Sequence, residues 1–265
     1  MAVQLSYSSV FNKYLRCPLS YHMHYNLGIR EEWTGSSLLM GSACDEAAGA
    51  ILQSYTLPKA TEIFNDTLSD LLAKTPKIKF TKTHIDEANL RVVGEEILKE
   101  YQRKILPEIK DVLAVQKKLE LKNDDGDKIV GYVDFIAELN DGRKIIFDNK
   151  TSSRKYKSDR IQTEGQQLCL YEFLNPEKVD GVGYVVMETV LRKSFPRARI
   201  SMLVDEVPRE LQKQTMQIMT QTLQKIRLGE FPSNHPSCNS YFGECICQNY
   251  YLSGGQDLTG LRYVR

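Results

Sequence analysis

Between Val112 and Asn149 the apolar positions fall in three short runs, VLAVQKKLEL, KIVGYVDFIAEL and RKIIFDN, separated by NDDGD and NDG. Val, Ile, Tyr and Phe bounded by Asp-Gly turns predict strands, and three in succession predict an antiparallel meander. The flanks read as helices. Ser6 to about Leu27 is predicted helical, with Ser6 or Ser8 as N-cap and Pro18 as an interruption. Ser37 to Leu52 is rich in Ala and Leu, and further helices are predicted near Thr61–Leu72 and Ile85–Lys104. After the meander come a helix in DRIQTEGQQLCLYEFL, strands in GVGYVVMETV and RARISMLV, and a long helix from Pro208 to Gly229. A loop-rich, cysteine-bearing tail closes the chain. This order predicts an α/β or α+β protein, a sheet flanked by helices.

Length and composition narrow the class without naming a function. A chain of 265 residues can bury a sizeable core, and about a quarter charged residues is ordinary for a soluble globular protein. A net charge of +1 does not announce a nucleic-acid partner, although a local basic surface is still compatible with it. The N-terminus lacks an apolar stretch of the secretory kind, and no run approaches the roughly 18 apolar residues of a membrane helix. The expectation is a cytoplasmic protein with no membrane partner. Its six cysteines are then buried thiols or metal ligands in preference to disulfides. The simplest organisation is one domain over residues 1–265: a helical part to 105, a core over 106–230, and a tail over 231–265 packing on the N-terminal helix. The Lys-rich AKTPKIKFTKTH, Ala73 to His84, reads as an excursion between helices.

Two acids on apolar strands stand out. Side chains alternate along a strand, so Ile146, Asp148 and Lys150 share one face, and Asp134 lies with Tyr132 and Ile136 on the preceding strand. If the NDG turn pairs the two strands, both carboxylates converge beside Lys150. Acids this close raise each other's pKa unless a cation separates them. Such oxygens suit Mg²⁺ or Mn²⁺, and a neighbouring Lys can stabilise phosphoryl charge. The competing reading is a strand end entering a turn, with both charges solvated.

The combination Gly131-Tyr-Val-Asp134, Asp148-Asn-Lys150 and Gln167-Leu-Cys-Leu-Tyr171 resembles the PD-(D/E)xK nuclease superfamily, and within it the RecB-like branch of CRISPR-adaptation and phage recombination exonucleases. The N-terminal LSYSSVFNKYLRCPLSYHMHY and the tail GEFPSNHPSCNSYFGEC are also similar to that branch. The resemblance implies a restriction-endonuclease-like core and a metal-dependent DNA nuclease, an exonuclease of recombination, repair or CRISPR spacer processing. It implies that Asp134, Asp148 and the Asn149 carbonyl hold Mg²⁺ or Mn²⁺, that Lys150 orients or activates water, and that Gln167 and Tyr171 link the site to the nucleic-acid backbone. DNA, as single strands or duplex ends, is the implied partner, with recombination or CRISPR-adaptation proteins and a host cytoplasm if phage-encoded. The branch usually carries a His four residues after the helix glycine. Here Asp45 stands there, either an oxygen ligand or a helix-surface acid. Glu120 is a weaker acid candidate among lysines.

Related nucleases hold a four-iron cluster with one N-terminal and three C-terminal cysteines. Carried over, those are Cys17, Cys238, Cys245 and Cys247, although Cys245-Ile-Cys247 departs from the usual spacing. Zinc, with His235 nearby, is a less favoured occupant, and free thiols are the alternative. Cys44 and Cys169 read as core. Arg154, Lys155, Lys157 and Arg160 form the favoured phosphate-binding cluster, ahead of Arg192, Lys193, Arg197 and Arg199. Tyr7, Phe11, Tyr14, Tyr21 and Tyr25 could stack bases, but their helical spacing favours packing. The rival class is a non-catalytic or structure-specific nucleic-acid-binding protein that keeps the fold.

Overall fold

The computed structural model of the chain describes residues 2–191, 197–234, 239–240, 243–244 and 246–264. In chain order the first half contains β1 (Gln4–Leu5), α1 (Pro18–Tyr21), β2 (Ile29–Glu31), β3 (Trp33–Gly35), α2 (Ser36–Leu52), α3 (Leu57–Lys74), β4 (Lys77–Lys79) and α4 (Glu87–Lys104). The second half contains β5 (Ile109–Lys122), β6 (Lys128–Leu139), β7 (Lys144–Ser152), α5 (Arg160–Glu164), α6 (Gln166–Leu174), β8 (Gly181–Glu188), β9 (Arg199–Asp205), α7 (Arg209–Arg227), β10 (Asn239–Ser240), β11 (Gly243–Glu244), α8 (Ile246–Leu252) and β12 (Leu261–Tyr263). Among the described residues no helix is long and apolar enough to cross a membrane.

The fold is mixed α/β, with a mixed sheet flanked by helices. Its strand order is β1-β6-β7-β8-β9, with β5 also pairing β6. The meander expected from the turn signals is present. β6 and β7 are antiparallel, whereas β7 and β8 run parallel over Ile145↔Gly181 to Ser152↔Glu188. A parallel pair needs a crossover, and α5 and α6 provide it. That single predicted helix breaks at Gly165, where an added Cβ would lie 2.2 Å from the Ile161 carbonyl oxygen. The long helix ends as predicted: Gly229 has φ of 72°, the left-handed cap position.

Contacts divide the chain into two compact units. The larger one spans residues 34–119 and 131–212. In it, α4 buries Leu90, Val93, Ile97, Leu98 and Tyr101, with Asp86 capping its start by accepting the Asn89 N–H at 2.7 Å. Gly94 sits against the Phe64 ring of α3, where no side chain would fit. These helices pack with α2 on Phe135, Ala137, Phe147, Val185 and Met187 of the sheet. Residues Ile145 to Asn149 of β7 are all buried, so this strand is covered on both faces and reads apolar from Ile145 to Phe147.

The smaller unit spans residues 1–33, 120–130 and 213–265. The predicted N-terminal helix is interrupted at Pro18, as expected. π-helical turns at Ser8–Tyr14 and His22–Asn26 flank the short α1, which starts at Pro18 because proline lacks the N–H a helix interior needs. Tyr14 and Tyr21 are buried and pack edge-on at 5.7 Å, and Phe231 stacks on Tyr21, so these two rings are core. β1 joins β6 in parallel at Gln4↔Lys128, and β2 pairs antiparallel with β12. Asp127, almost fully buried, accepts the Val3 N–H at 2.9 Å and pairs with Arg227.

Candidate active site

Every residue of the strand motif lies in the larger unit. Phe135 pairs with Phe147 across β6 and β7, and one step further in that register sets Asp134 opposite Asp148. There the ladder gives way to a side-chain contact: the Asn149 N–H donates to Asp134 Oδ2 at 2.6 Å. A strand residue turns its N–H and C=O toward the same neighbour, so the Asn149 carbonyl also points to the edge where Asp134 lies.

Asp148 is 2 % exposed. Its Oδ1 accepts Gln167 Nε2 at 2.8 Å and the Tyr171 hydroxyl at 3.4 Å, and Gln167 Nε2 also reaches Tyr171 Oη at 2.7 Å. The four-residue spacing of Gln167 and Tyr171 puts both on one face of α6, as expected. What they grip is the carboxylate. Asp148 Oδ2 has the Lys150 ammonium at 2.5 Å as an ion pair, yet no donor is aligned on it in hydrogen-bond geometry. Gly131 makes this arrangement possible, because a Cβ there would lie 2.9 Å from Tyr171 Cδ1 and 3.0 Å from Cε1. Gly131→Ala is therefore expected to cost about 1–3 kcal/mol by overpacking. A thermal melt should show a drop of several degrees, and an unchanged melting temperature would refute the packing role.

The charges are strained as the sequence suggested. Burial pushes Asp134 well above the usual carboxylate range, and the charges of Asp148 and Asp45 push it further. Burial also raises Asp148, with Lys150 opposing and Asp45 adding to the rise. Burial alone would lower Lys150, but Asp148 and Asp134 outweigh it and hold the ammonium above its ordinary value.

Asp45 joins the site from α2. Its Oδ1 accepts Asn149 Nδ2 at 3.0 Å and its Oδ2 accepts Gln116 Nε2 at 2.8 Å. Asn149 Oδ1 in turn accepts the hydroxyl of the fully buried Tyr101 at 3.3 Å. Alternation thus sends Asp148 toward α6 and Asn149 toward α2 and α4. Gly41, four residues before Asp45, has Thr151 Oγ1 2.9 Å from where its Cβ would be, which lets α2 lie close on β7. Gln116, Tyr101 and the Asn149 side chain were not singled out from the sequence. Their partners are 48 to 104 residues away, and no local spacing signals them.

Among the described residues no three His, Cys, Asp or Glu side chains close on one point as ligands of an ion would. The donor chemistry nevertheless fits a hard divalent cation. The oxygens are carboxylates, Asp148 is almost fully buried, and the repulsion on Asp134 is what such an ion relieves.

The remaining candidates separate. Arg154 and Lys155 are exposed just beyond β7, while Arg160 pairs with Glu164 and covers the Tyr156 ring at 4.8 Å. Glu120 belongs to the smaller unit and pairs with Lys128 at 2.9 Å. Cys17 is buried and Cys247 half-buried in that unit, and Cys44 and Cys169 are buried in the larger one. Cys238, Cys245, His235, Arg192 and Lys193 lie outside the described residues.

Comparison with curated proteins finds no match. Among solved structures the chain is similar to one titled "Crystal structure of SSO0001", at 14 % identity and a TM-score of 0.30, covering 78 % of this chain and 84 % of that one. A family model described as the PD-(D/E)XK nuclease superfamily matches residues 4–249. That span takes in the paired acids, Lys150 and the α6 residues, and the chain belongs to the PD-(D/E)XK nuclease superfamily.

Proposed function

We propose that this chain is a Mg²⁺- or Mn²⁺-dependent deoxyribonuclease that hydrolyses phosphodiester bonds. It acts as an exonuclease on single strands or duplex ends, in recombination, repair or CRISPR spacer processing, in the cytoplasm. The observation that carries the reading is the opposition of Asp134 and Asp148, with the Lys150 ammonium on one oxygen of Asp148 and Gln167 on the other.

In this reading Asp134, Asp148 and the Asn149 carbonyl hold the cation, with Asp45 as a further oxygen. The bound cation supplies Lewis-acid stabilisation of charge on the phosphoryl oxygens. The protein's own groups do the rest. Gln167 and Tyr171 fix the Asp148 carboxylate, so its remaining lone pairs face one direction. Lys150, 30 % exposed where Asp148 is 2 % exposed, is the cation that reaches toward substrate, where it orients the attacking water and offsets developing negative charge. Arg154 and Lys155 neutralise backbone phosphates beside the scissile one, independent of sequence.

The four-cysteine cluster rests on the sequence motif. Protein purified without oxygen should be coloured and contain iron, and a colourless, iron-free preparation would exclude it.

The decisive assay incubates end-labelled, circular and nicked DNA, single- and double-stranded, with Mn²⁺. Loss of label from ends with circles left intact is expected, together with loss of cleavage in Asp148→Ala. Cleavage of circles would make the protein an endonuclease. No cleavage, or cleavage indifferent to Asp148→Ala, would leave the non-catalytic binding protein.

A further inference from the structure

Among the described residues only Ser54 and Gln116 combine a side chain with a positive φ, 67° and 50° respectively. Ser54 lies just past the end of α2, where a left-handed residue commonly terminates a helix. Gln116 is different, because it sits inside β5, where no turn is made. Left-handed backbone is unfavourable for a residue with a Cβ and persists where its surroundings require it.

The requirement is legible in what the two neighbouring side chains touch. Val115 packs its Cγ1 over Gly49 of α2, 3.3 Å from where a Cβ would be. Gln116, the very next residue, reaches Asp45 of α2 with Nε2 to Oδ2 at 2.8 Å. Gly49 and Asp45 are four apart and therefore stacked on the same helix face. Consecutive residues of a regular strand point to opposite sides. Both can face α2 only because the chain kinks at Gln116, as it does in a β-bulge, a device that re-aims a side chain.

Asp45 is thereby held from two strands. Gln116 of β5 donates to one oxygen and Asn149 of β7 donates to the other, at 3.0 Å. Both donors are neutral amides, so they orient the carboxylate without cancelling its charge. With either one gone, a single hydrogen bond remains and the carboxylate is less tightly fixed about its last bond.

We infer that Gln116 is a positioning residue that sets the Asp45 carboxylate for the metal centre, the kink in β5 being the means by which its amide arrives there. This rests on the proposed metal-dependent nuclease. It explains how an acid in place of the branch's usual histidine is held in one orientation.

Gln116→Gly separates the amide from the backbone, because glycine accepts a positive φ without strain. Mn²⁺ binding is measured by calorimetry on wild type, Gln116→Gly, Asp45→Ala and the double variant, with melting temperatures in EDTA alongside. Gln116→Gly should bind Mn²⁺ about tenfold more weakly, the usual consequence of losing a hydrogen bond to a ligand. Its metal-free melting temperature should be unchanged or higher. In the Asp45→Ala background, removing Gln116 should add no further loss, because the two act through one contact. Wild-type Mn²⁺ affinity in Gln116→Gly would overturn the inference, and so would an equal loss with and without Asp45, or wild-type affinity in Asp45→Ala. In those cases the nuclease reading stands. A wild-type protein that binds no Mn²⁺ overturns both.

Discussion

Lys150→Met is expected to lower DNA cleavage by about a hundredfold to ten-thousandfold, the range lost with a positioned proton-transfer or charge-stabilising group. The methionine keeps the length and apolar character of the lysine stem, so packing along β7 changes little. What disappears is the ammonium 2.5 Å from Asp148 Oδ2. Before the metal binds, Asp148 then remains almost fully buried opposite Asp134 with no ammonium beside it, and both burial and repulsion favour its protonated form. The direction with pH follows. An acid with a further raised pKa becomes a carboxylate only at higher pH, so residual activity in Lys150→Met should move to more alkaline pH. Initial rates on end-labelled DNA at sub-saturating Mn²⁺, where proton and ion compete for Asp148, taken across pH and paired with a thermal melt, read both effects. A folded variant that cleaves within tenfold of wild type would remove Lys150 from the chemistry.

Asp134→Asn is expected to raise metal-free stability and to abolish stabilisation by divalent cation. Asp134 is raised well above its ordinary value in the fold, chiefly by burial and then by Asp148 and Asp45. The folded state therefore holds its proton more tightly than the unfolded chain. Stability from that group is fully present below the unfolded carboxylate pKa, about 3.9, and declines as pH rises through the higher folded value. Above that folded value the ionised pair is a standing cost. Asparagine removes the charge and can still accept the Asn149 N–H, so the decline with pH should flatten. In the wild type, cation at about a hundred times its dissociation constant adds about 2.7 kcal/mol. For a chain of this size that is a rise of roughly 5–10 °C. Melts in EDTA and in Mn²⁺ at several pH values test this. A cation-dependent rise in Asp134→Asn equal to that of wild type would show that the ion does not bind there.

Much of this site is local in origin, which is why the sequence discloses it. Alternation along β6 and β7 is fixed by backbone geometry, and the NDG turn fixes the register, so Asp134, Asp148 and Lys150 are brought together by residues within one hairpin. Gln167 and Tyr171 follow from helical spacing on the crossover. The fold class is equally legible, because strand and helix runs alternate in an order few topologies accommodate. The N-terminal segment is the counterexample. Its interruption at Pro18 is legible, but the π-helical turns on either side, set where Tyr14, Tyr21 and Phe231 pack, are not.

The sequence by itself determined the sheet, the paired acids, their lysine and the family to which these belong. The tertiary structure alone decided what surrounds them. It brought Asp45 to Asn149 across 104 residues and to Gln116 across 71, set Tyr101 behind Asn149, and laid the Tyr171 ring over Gly131. It also bent β5 into a left-handed residue that composition gives no reason to expect. The division has a physical cause. Periodicity records which face a residue presents, and that is a local property. Which distant group meets that face is set by how helices close on the sheet, and the interactions that decide it leave no spacing in the chain.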